Sequence, residues 1–134
     1  MSKDETQQQR RTRLKTSGGW IGVDLDGTLA EYHGWPADGG VGKPVPLMVA
    51  RVKKWLAEGV EVRIVTARVS GEGLPGRDPD QRRKIQEWCL EHVGVVLPVT
   101  CVKDFQMICL YDDRAVQIIE NTGLRADGVD DLAD

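Results

Sequence analysis

The run WIGVDLDGTL occupies residues 20–29 and decides which fold class the sequence predicts. Its first four residues are apolar or glycine and match a short buried strand. The strand stops at Asp24, and Asp26 follows two positions later, so that in extended backbone both carboxylates project to the same side. Two anions this close repel each other unless a cation lies between them or one of them holds a proton. The run therefore predicts a buried strand that ends in a small acidic site.

On the C-terminal side of this run, apolar segments alternate with helical patterns. Strands are predicted at residues 60–65, 98–102 and 107–111, and helices at residues 46–58, 78–93 and 114–122. The first two helices repeat apolar side chains at spacings of three and four residues, and the strands are β-branched or apolar. Such alternation predicts βαβ units. We therefore expect a Rossmann-like three-layer α/β/α sandwich with a mostly parallel sheet.

The 134 residues are enough for one domain. Residues 1–17 hold five basic side chains and little that could be buried, so we predict a flexible basic N-terminal arm. Residues 18–124 contain the predicted strands and helices and form the expected domain. Residues 125–134 are predicted to be an acidic C-terminal tail.

Composition excludes several classes of protein. With 18 Lys and Arg against 21 Asp and Glu, the chain has a formal net charge of −3, which argues against a protein that coats nucleic acid. No apolar run approaches the roughly 18 residues that cross a bilayer, and the N-terminus lacks the apolar core of a secretory signal. The three cysteines show no CxxC spacing. We therefore expect a cytoplasmic protein that binds no membrane.

A second pair of acids, Asp112 and Asp113, follows the apolar run 107–111. Because the carboxyl ends of parallel strands meet at one edge of a sheet, we expect this pair near Asp24 and near Thr66, which ends another strand. Oxygen ligands of this kind suit Mg²⁺. Two interpretations without a metal remain open, since Asp24 could cap a turn and Asp113 could cap the helix predicted to follow it.

Four segments together resemble a known family. They are DLDGTL at residues 24–29, IVTAR at residues 64–68, Lys103, and LYDDR at residues 110–114. In this order they are similar to the four motifs of the haloacid dehalogenase superfamily of phosphatases, and the resemblance extends over residues 20–123. It implies a Rossmann-like phosphatase domain.

The resemblance also implies a role for each matching side chain. Asp24 would be the nucleophile that attacks phosphorus and forms an aspartyl-phosphate. Asp26 would protonate the leaving alcohol and then activate the water that hydrolyses the intermediate. The hydroxyl of Thr66 and the ammonium of Lys103 would hold the phosphoryl oxygens.

The cofactor that the resemblance implies is Mg²⁺. Its ligands would be Asp24, the backbone carbonyl of Asp26, and Asp112, Asp113 or both. The cation would neutralise negative charge between the nucleophile and the phosphate, which otherwise repel each other.

A segment rich in glycine and proline, AEYHGWPADGGVGKP, occupies residues 30–44 and leaves the catalytic strand directly. Loops longer than about 12–15 residues in compact domains tend to be functional or disordered. Members of the superfamily carry cap domains at such points, and this insertion is too short to be one. We predict a short flap instead of a cap domain, over a relatively open site.

The function expected is that of a Mg²⁺-dependent phosphomonoesterase, a HAD-type phosphatase, acting on a phosphorylated small molecule or nucleotide. A weaker likeness to the phosphatase domain of phage-type polynucleotide kinase-phosphatases implies an alternative substrate, a nucleic-acid end that carries a 3′-phosphate. A further alternative is a non-catalytic phosphate-binding or assembly domain. Against it, a binding role needs no nucleophile such as Asp24.

Overall fold

The computed structural model describes residues 5–133. The helices are α1 (Gln7–Thr16), α2 (Pro46–Ala57) and α3 (Gln81–His92), with a turn of 3₁₀ helix at Ala67–Val69. The strands are β1 (Trp20–Asp24), β2 (Glu61–Val65), β3 (Val99–Thr100) and β4 (Met107–Tyr111). They form one parallel sheet in the order β3-β2-β1-β4, flanked by helices. The predicted α/β class is confirmed, and the arrangement is consistent with a Rossmann-like α/β/α fold.

The hydrophobic core lies on one face of this sheet. Ile21 and Val23 of β1 alternate onto that face, as do Val62 and Ile64 of β2, and all four are buried. They form one cluster with the apolar stripes of the two long helices, Met48, Val49 and Val52 on α2 and Ile85, Trp88 and Cys89 on α3. None of the helices within residues 5–133 has the length and apolar character needed to cross a membrane.

The opposite face of the sheet is covered less completely by other parts of the chain. Trp20 is buried there because its indole N–H donates to Asp104 (2.8 Å) and the guanidinium of Arg63 lies 4.4 Å from its ring centre. Asp104 belongs to the connection 101–106, which joins β3 to β4 without a helix. Leu110 of β4 is 36% exposed on this face.

Helix α2 follows the prediction closely, with Pro46 in the first turn, where a missing N–H costs nothing. Helix α3 starts later than predicted. Asp78, at the start of the predicted helix 78–93, accepts hydrogen bonds from the backbone N–H of Asp80 (2.9 Å) and from the Gln81 side chain (3.0 Å). This turn delays the helix until Gln81.

The prediction of a flexible arm over residues 1–17 is wrong for α1. Thr6 and Gln9 form a reciprocal capping box at its start, and Leu14 is buried. The helix packs against β4. A single buried leucine and a good cap suffice to fix the segment, and residues 1–4 lie outside the described part of the chain.

The helix predicted at residues 114–122 is also wrong. Asp112 accepts a hydrogen bond from the backbone N–H of Arg114 (2.7 Å), a contact that can also begin a helix, but no helix follows here. A small hairpin follows, with Ile118 paired antiparallel to Arg125. Its turn contains Asn121 at φ 66°, and its β-branched residues favour extended backbone.

Candidate active site

The turn that follows β1 aims its carboxylates at the carboxyl edge of the sheet. The backbone N–H of Leu29 donates to the carbonyl of Asp24 (3.2 Å), and that of Ala30 donates to the carbonyl of Leu25 (2.9 Å). Leu25 and Leu29 are fully buried and anchor the turn in the core. The polar residues between them are consequently held in fixed positions at the surface.

Asp24 meets the second acidic pair, as predicted. Asp24, Asp112 and Asp113 each offer a carboxylate oxygen, and these oxygens lie within 4.8 Å of one another. We call these three residues the acidic cluster. Thr28 links the turn after β1 to the acidic pair after β4. Its hydroxyl donates to the Asp113 carboxylate (3.2 Å) and accepts from the Asp113 backbone N–H (3.0 Å).

The electrostatics of the acidic cluster are unfavourable when no cation is present. Burial raises the pKa of Asp24 to about 7, together with a hydrogen bond shared with Asp113 and the negative charges of Asp112 and Asp113. A hydrogen bond from the backbone of Leu25 acts in the opposite direction. A cation among three carboxylates this close together would stabilise them.

Gly27 is required by two features of this turn. Its φ of 85° lies in the left-handed region, which residues with a Cβ rarely adopt. A Cβ at this position would also lie 2.9 Å from Cγ of Asp113, closer than real contacts allow. The glycine therefore lets the Asp113 carboxylate approach the backbone of the first acidic turn.

Replacing Gly27 should damage the acidic cluster as well as the backbone. We expect Gly27→Ala to lose about 1–3 kcal/mol of unfolding free energy through its strained φ. We expect Mg²⁺ to raise the melting temperature of the parent, and we expect Gly27→Ala to lose this rise because Asp113 is displaced. The matched control is Gly34→Ala, with φ 103° and nothing within 4 Å of the added Cβ. The control should lose stability but keep the response to Mg²⁺; an equal Mg²⁺ response in both variants would contradict this account.

Asp26 has a different environment from the acidic cluster. Its two carboxylate oxygens accept parallel hydrogen bonds from Nε and Nη2 of Arg68, both at 2.8 Å. The Arg68 side chain is 3% exposed and that of Asp26 is 21% exposed. Such a bidentate pair fixes the orientation of the carboxylate, and each oxygen keeps a second lone pair for other partners.

Arg68 also holds the flap, residues 30–44, against the site. Its Nη1 donates to the carbonyl of Gly39 and to the side-chain oxygen of Gln81, both at 3.0 Å. Gln81 donates to the same Gly39 carbonyl (2.8 Å). The guanidinium lies 4.5 Å from the ring centre of Trp35, which is itself on the flap. One arginine thus fixes both Asp26 and the flap.

Thr66 directly follows β2 at the same edge and is buried. Its hydroxyl oxygen accepts a hydrogen bond from the backbone N–H of Arg68 (3.1 Å) and caps the 3₁₀ turn. Because a hydroxyl donates as well as accepts, this arrangement leaves its hydrogen for another partner. The side chain lines the same cleft as Asp24.

This cleft has a volume of about 710 Å³, and its floor is the acidic cluster. Arg77 and Arg114 line it, and neither has an acidic partner within 4.0 Å among residues 5–133. Lys103, the predicted phosphate ligand, lines two other clefts beside α1 instead. The structure therefore places Thr66 on the same cleft as Asp24, whereas Lys103 lines a neighbouring cleft that it shares with Asp112.

Sequence reasoning missed three residues of this site. Arg68 stood within the quoted run IVTAR without a role, and its pairing with Asp26 was not predicted. Thr28 stood within the quoted run DLDGTL without a role, and Gln81 lay within the predicted helix 78–93 without one. The available signal was an arginine three residues after a strand that ends at the acidic edge of the sheet.

Comparison of the chain with protein-family models, with curated proteins and with solved structures finds no match. The function must therefore be argued from the geometry of the acidic cluster, the Asp26–Arg68 pair and the cleft that they line.

Proposed function

We propose that the protein is a Mg²⁺-dependent phosphomonoesterase of the haloacid dehalogenase type. The observation that carries this proposal is the meeting of Asp24 with Asp112 and Asp113 at the carboxyl edge of a parallel sheet. Ligands of such sheets bind beyond the carboxyl ends of the strands. Asp112 and Asp113 also make local hydrogen bonds, to the Arg114 backbone and to Thr28, but a cation among the three carboxylates would offset their mutual repulsion.

The residues of the acidic cluster fit a magnesium ion. Their donors are hard carboxylate oxygens, and the pKa of Asp24 is raised first by burial and then by the neighbouring carboxylates, whose charge a cation would neutralise. The ligands would be Asp24, Asp112 and Asp113. The side chain of Asp26 is engaged by Arg68, so a contribution from Asp26 would come from its backbone carbonyl. When bound, the ion would reduce the repulsion between the nucleophile and the phosphate.

The chain's own residues supply the chemistry. A carboxylate oxygen of Asp24 forms a bond to phosphorus as the bond from phosphorus to the alcohol oxygen breaks, and the alcohol takes a proton from Asp26. Asp26 then removes a proton from water, whose oxygen displaces Asp24 and releases phosphate. Thr66 donates its hydroxyl hydrogen to a phosphoryl oxygen, and Arg77 and Arg114 supply positive charge.

A small phosphate ester or nucleotide is the substrate class that the cleft favours. Tyr32 and Trp35 of the flap line it and are 47% and 57% exposed. Arg68 covers one part of the Trp35 ring, and the remainder offers an apolar surface for an aromatic group. Arg77 and Arg114 line the same cleft, so the phosphate and the aromatic ring of one substrate could both be bound there.

The second candidate substrate is a nucleic-acid end. Lys103, Arg10 and Arg11 line a cleft of about 640 Å³ beside β4, and Asp112 lies at its border with the catalytic cleft. A chain of phosphates along this surface would reach the acidic cluster. The charges here are partly neutralised, however, since Arg10 is paired with Glu120.

A substrate panel tests the proposal. The purified chain should release phosphate from a generic aryl phosphate with Mg²⁺, stop when a chelator is added, and resume with excess Mg²⁺. Lys103→Ala should leave this rate unchanged, whereas Arg114→Ala should raise KM. Faster release from 3′-phosphorylated oligonucleotides than from any nucleotide, reduced by Lys103→Ala, would favour the second candidate. No release from any phosphomonoester would leave only the non-catalytic alternative.

A further inference from the structure

Trp35 differs from the other three tryptophans in its surroundings. Trp20 and Trp88 are buried and donate their indole N–H groups, and Trp55 packs on Tyr111 with 4.8 Å between the ring centres. Trp35 is 57% exposed, and its indole N–H donates to no group within the described part of the chain. An indole with more than half of its surface free therefore lines the catalytic cleft.

The flap holds Trp35 in a fixed position. Near its base the backbone N–H of Glu31 donates to the carbonyl of Lys43 (2.8 Å), and further along the carbonyl of Gly39 accepts from Arg68 (3.0 Å). Because the flap is tied at these two points, Trp35 presents a preorganised surface. A ligand that stacks on it does not have to order the loop first.

Arg68 connects Trp35 to Asp26. Its guanidinium carbon lies 4.5 Å from the ring centre of Trp35, and its Nε and Nη2 donate to the two carboxylate oxygens of Asp26, both at 2.8 Å. A guanidinium and an indole attract each other more strongly where water is excluded, and the Arg68 side chain is 3% exposed. The ring thus covers the arginine that orients the Asp26 carboxylate.

The leaving group of a phosphate ester would lie beside Asp26. This step rests on the proposed function, in which Asp24 attacks phosphorus and Asp26 protonates the leaving oxygen. The attacking and leaving oxygens are roughly in line in such reactions, so the leaving group points away from Asp24. Asp26, Arg68 and Trp35 contact one another in that order and line the same cleft. A ring a few bonds from the leaving oxygen, such as the base of a nucleoside 5′-phosphate, would therefore lie against Trp35.

We propose that Trp35 selects nucleoside monophosphates by stacking on the base of the leaving nucleoside, and that it also positions Asp26 through Arg68. Stacking of a base on an aromatic side chain is worth about 10- to 100-fold in binding and tolerates every base, because each has a π face. The two roles separate in the kinetics. Lost stacking raises KM, whereas a misplaced Asp26 lowers kcat.

The test compares adenosine 5′-monophosphate with ribose 5-phosphate, which share the phosphorylated ribose and differ by the base. The parent should cleave the nucleotide with a kcat/KM about 10 to 100 times higher. In Trp35→Leu this preference should disappear, and kcat for ribose 5-phosphate should fall about tenfold with little change in KM, because Asp26 is less well held. Trp35→Phe keeps an aromatic face over Arg68 and should recover most of both losses.

The matched control is Phe105→Leu, which removes an aromatic side chain that is 100% exposed and lines a different cleft. This variant should match the parent on both substrates. Equal kcat/KM for the two esters in the parent would overturn the selection of the base. An unchanged kcat for ribose 5-phosphate in Trp35→Leu would overturn the positioning role.

Binding of adenosine tests the stacking role of Trp35 without any reaction. Adenosine carries no phosphate, and it should quench the tryptophan fluorescence of the parent but not that of Trp35→Leu, which keeps the other three tryptophans. If neither ester is cleaved while adenosine still quenches only the parent, the phosphatase proposal is wrong and the stacking role stands. If both esters are cleaved while adenosine quenches neither protein, the stacking role is wrong and the phosphatase proposal stands.

Discussion

Asp24→Asn should lower kcat/KM for phosphate release by at least about a thousandfold. The amide cannot form a bond to phosphorus, and it also removes one anionic oxygen from the acidic cluster. The loss should not come from unfolding. Because the substitution removes one of three neighbouring negative charges, the metal-free variant should be at least as stable towards heat as the parent.

The matched control for Asp24→Asn is Asp38→Asn. Asp38 lines the same cleft, and its carboxylate accepts a hydrogen bond from the backbone N–H of Gly40 (2.9 Å), which an amide oxygen can also accept. This variant should keep most of the activity. Equal rates for Asp24→Asn and the parent would show that the nucleophile is assigned wrongly.

Arg68→Ala should have the second largest effect, on both stability and activity. Removal of one partner of a buried ion pair typically costs about 3–5 kcal/mol, and here it also leaves the Gly39 carbonyl with one donor fewer. Misplacement of a catalytic group by about 1 Å can cost a hundredfold in rate, and we expect a loss of that order from the freed Asp26.

Arg68→Lys should recover little of this activity, because an ammonium cannot make two parallel hydrogen bonds to Asp26 while also reaching the flap. Arg83→Ala is the control for removal of an arginine. Arg83 is exposed on α3 and pairs with Glu87, so its loss should change the unfolding free energy by less than about 1 kcal/mol. Guanidinium unfolding and steady-state kinetics measure both effects. Unchanged kcat/KM in Arg68→Ala would show that Asp26 needs no positioning.

The sheet and its acidic edge could be predicted because they depend on local patterns. Runs such as 107–111 have few alternatives to a strand, and the rule that ligands bind at the carboxyl ends of parallel strands then brings Asp24, Thr66 and the second acidic pair together. The convergence of Asp24 with Asp112 and Asp113 is observed. The metal and the reaction remain predictions.

The remaining features depend on contacts that no local pattern records. In the sequence, nothing distinguishes Arg68 from other loop arginines. Only the fold places it against Asp26. Lys103 follows a strand, yet it lines the clefts beside α1, one of which it shares with Asp112, and does not line the cleft of Asp24. Residues 114–122 were predicted to form a helix, but their β-branched residues favour extended backbone and a hairpin forms instead.

The most direct test of the central claim is to trap the acyl-phosphate. Wild-type protein is mixed with Mg²⁺ and the best substrate of the panel, quenched and treated with borohydride, which reduces an aspartyl-phosphate to homoserine, and the peptides are sequenced by mass spectrometry. The account predicts homoserine at position 24, and none when the chelator is present or in Asp24→Asn. Turnover of the substrate with position 24 unmodified, or with the mark on another aspartate, would contradict it.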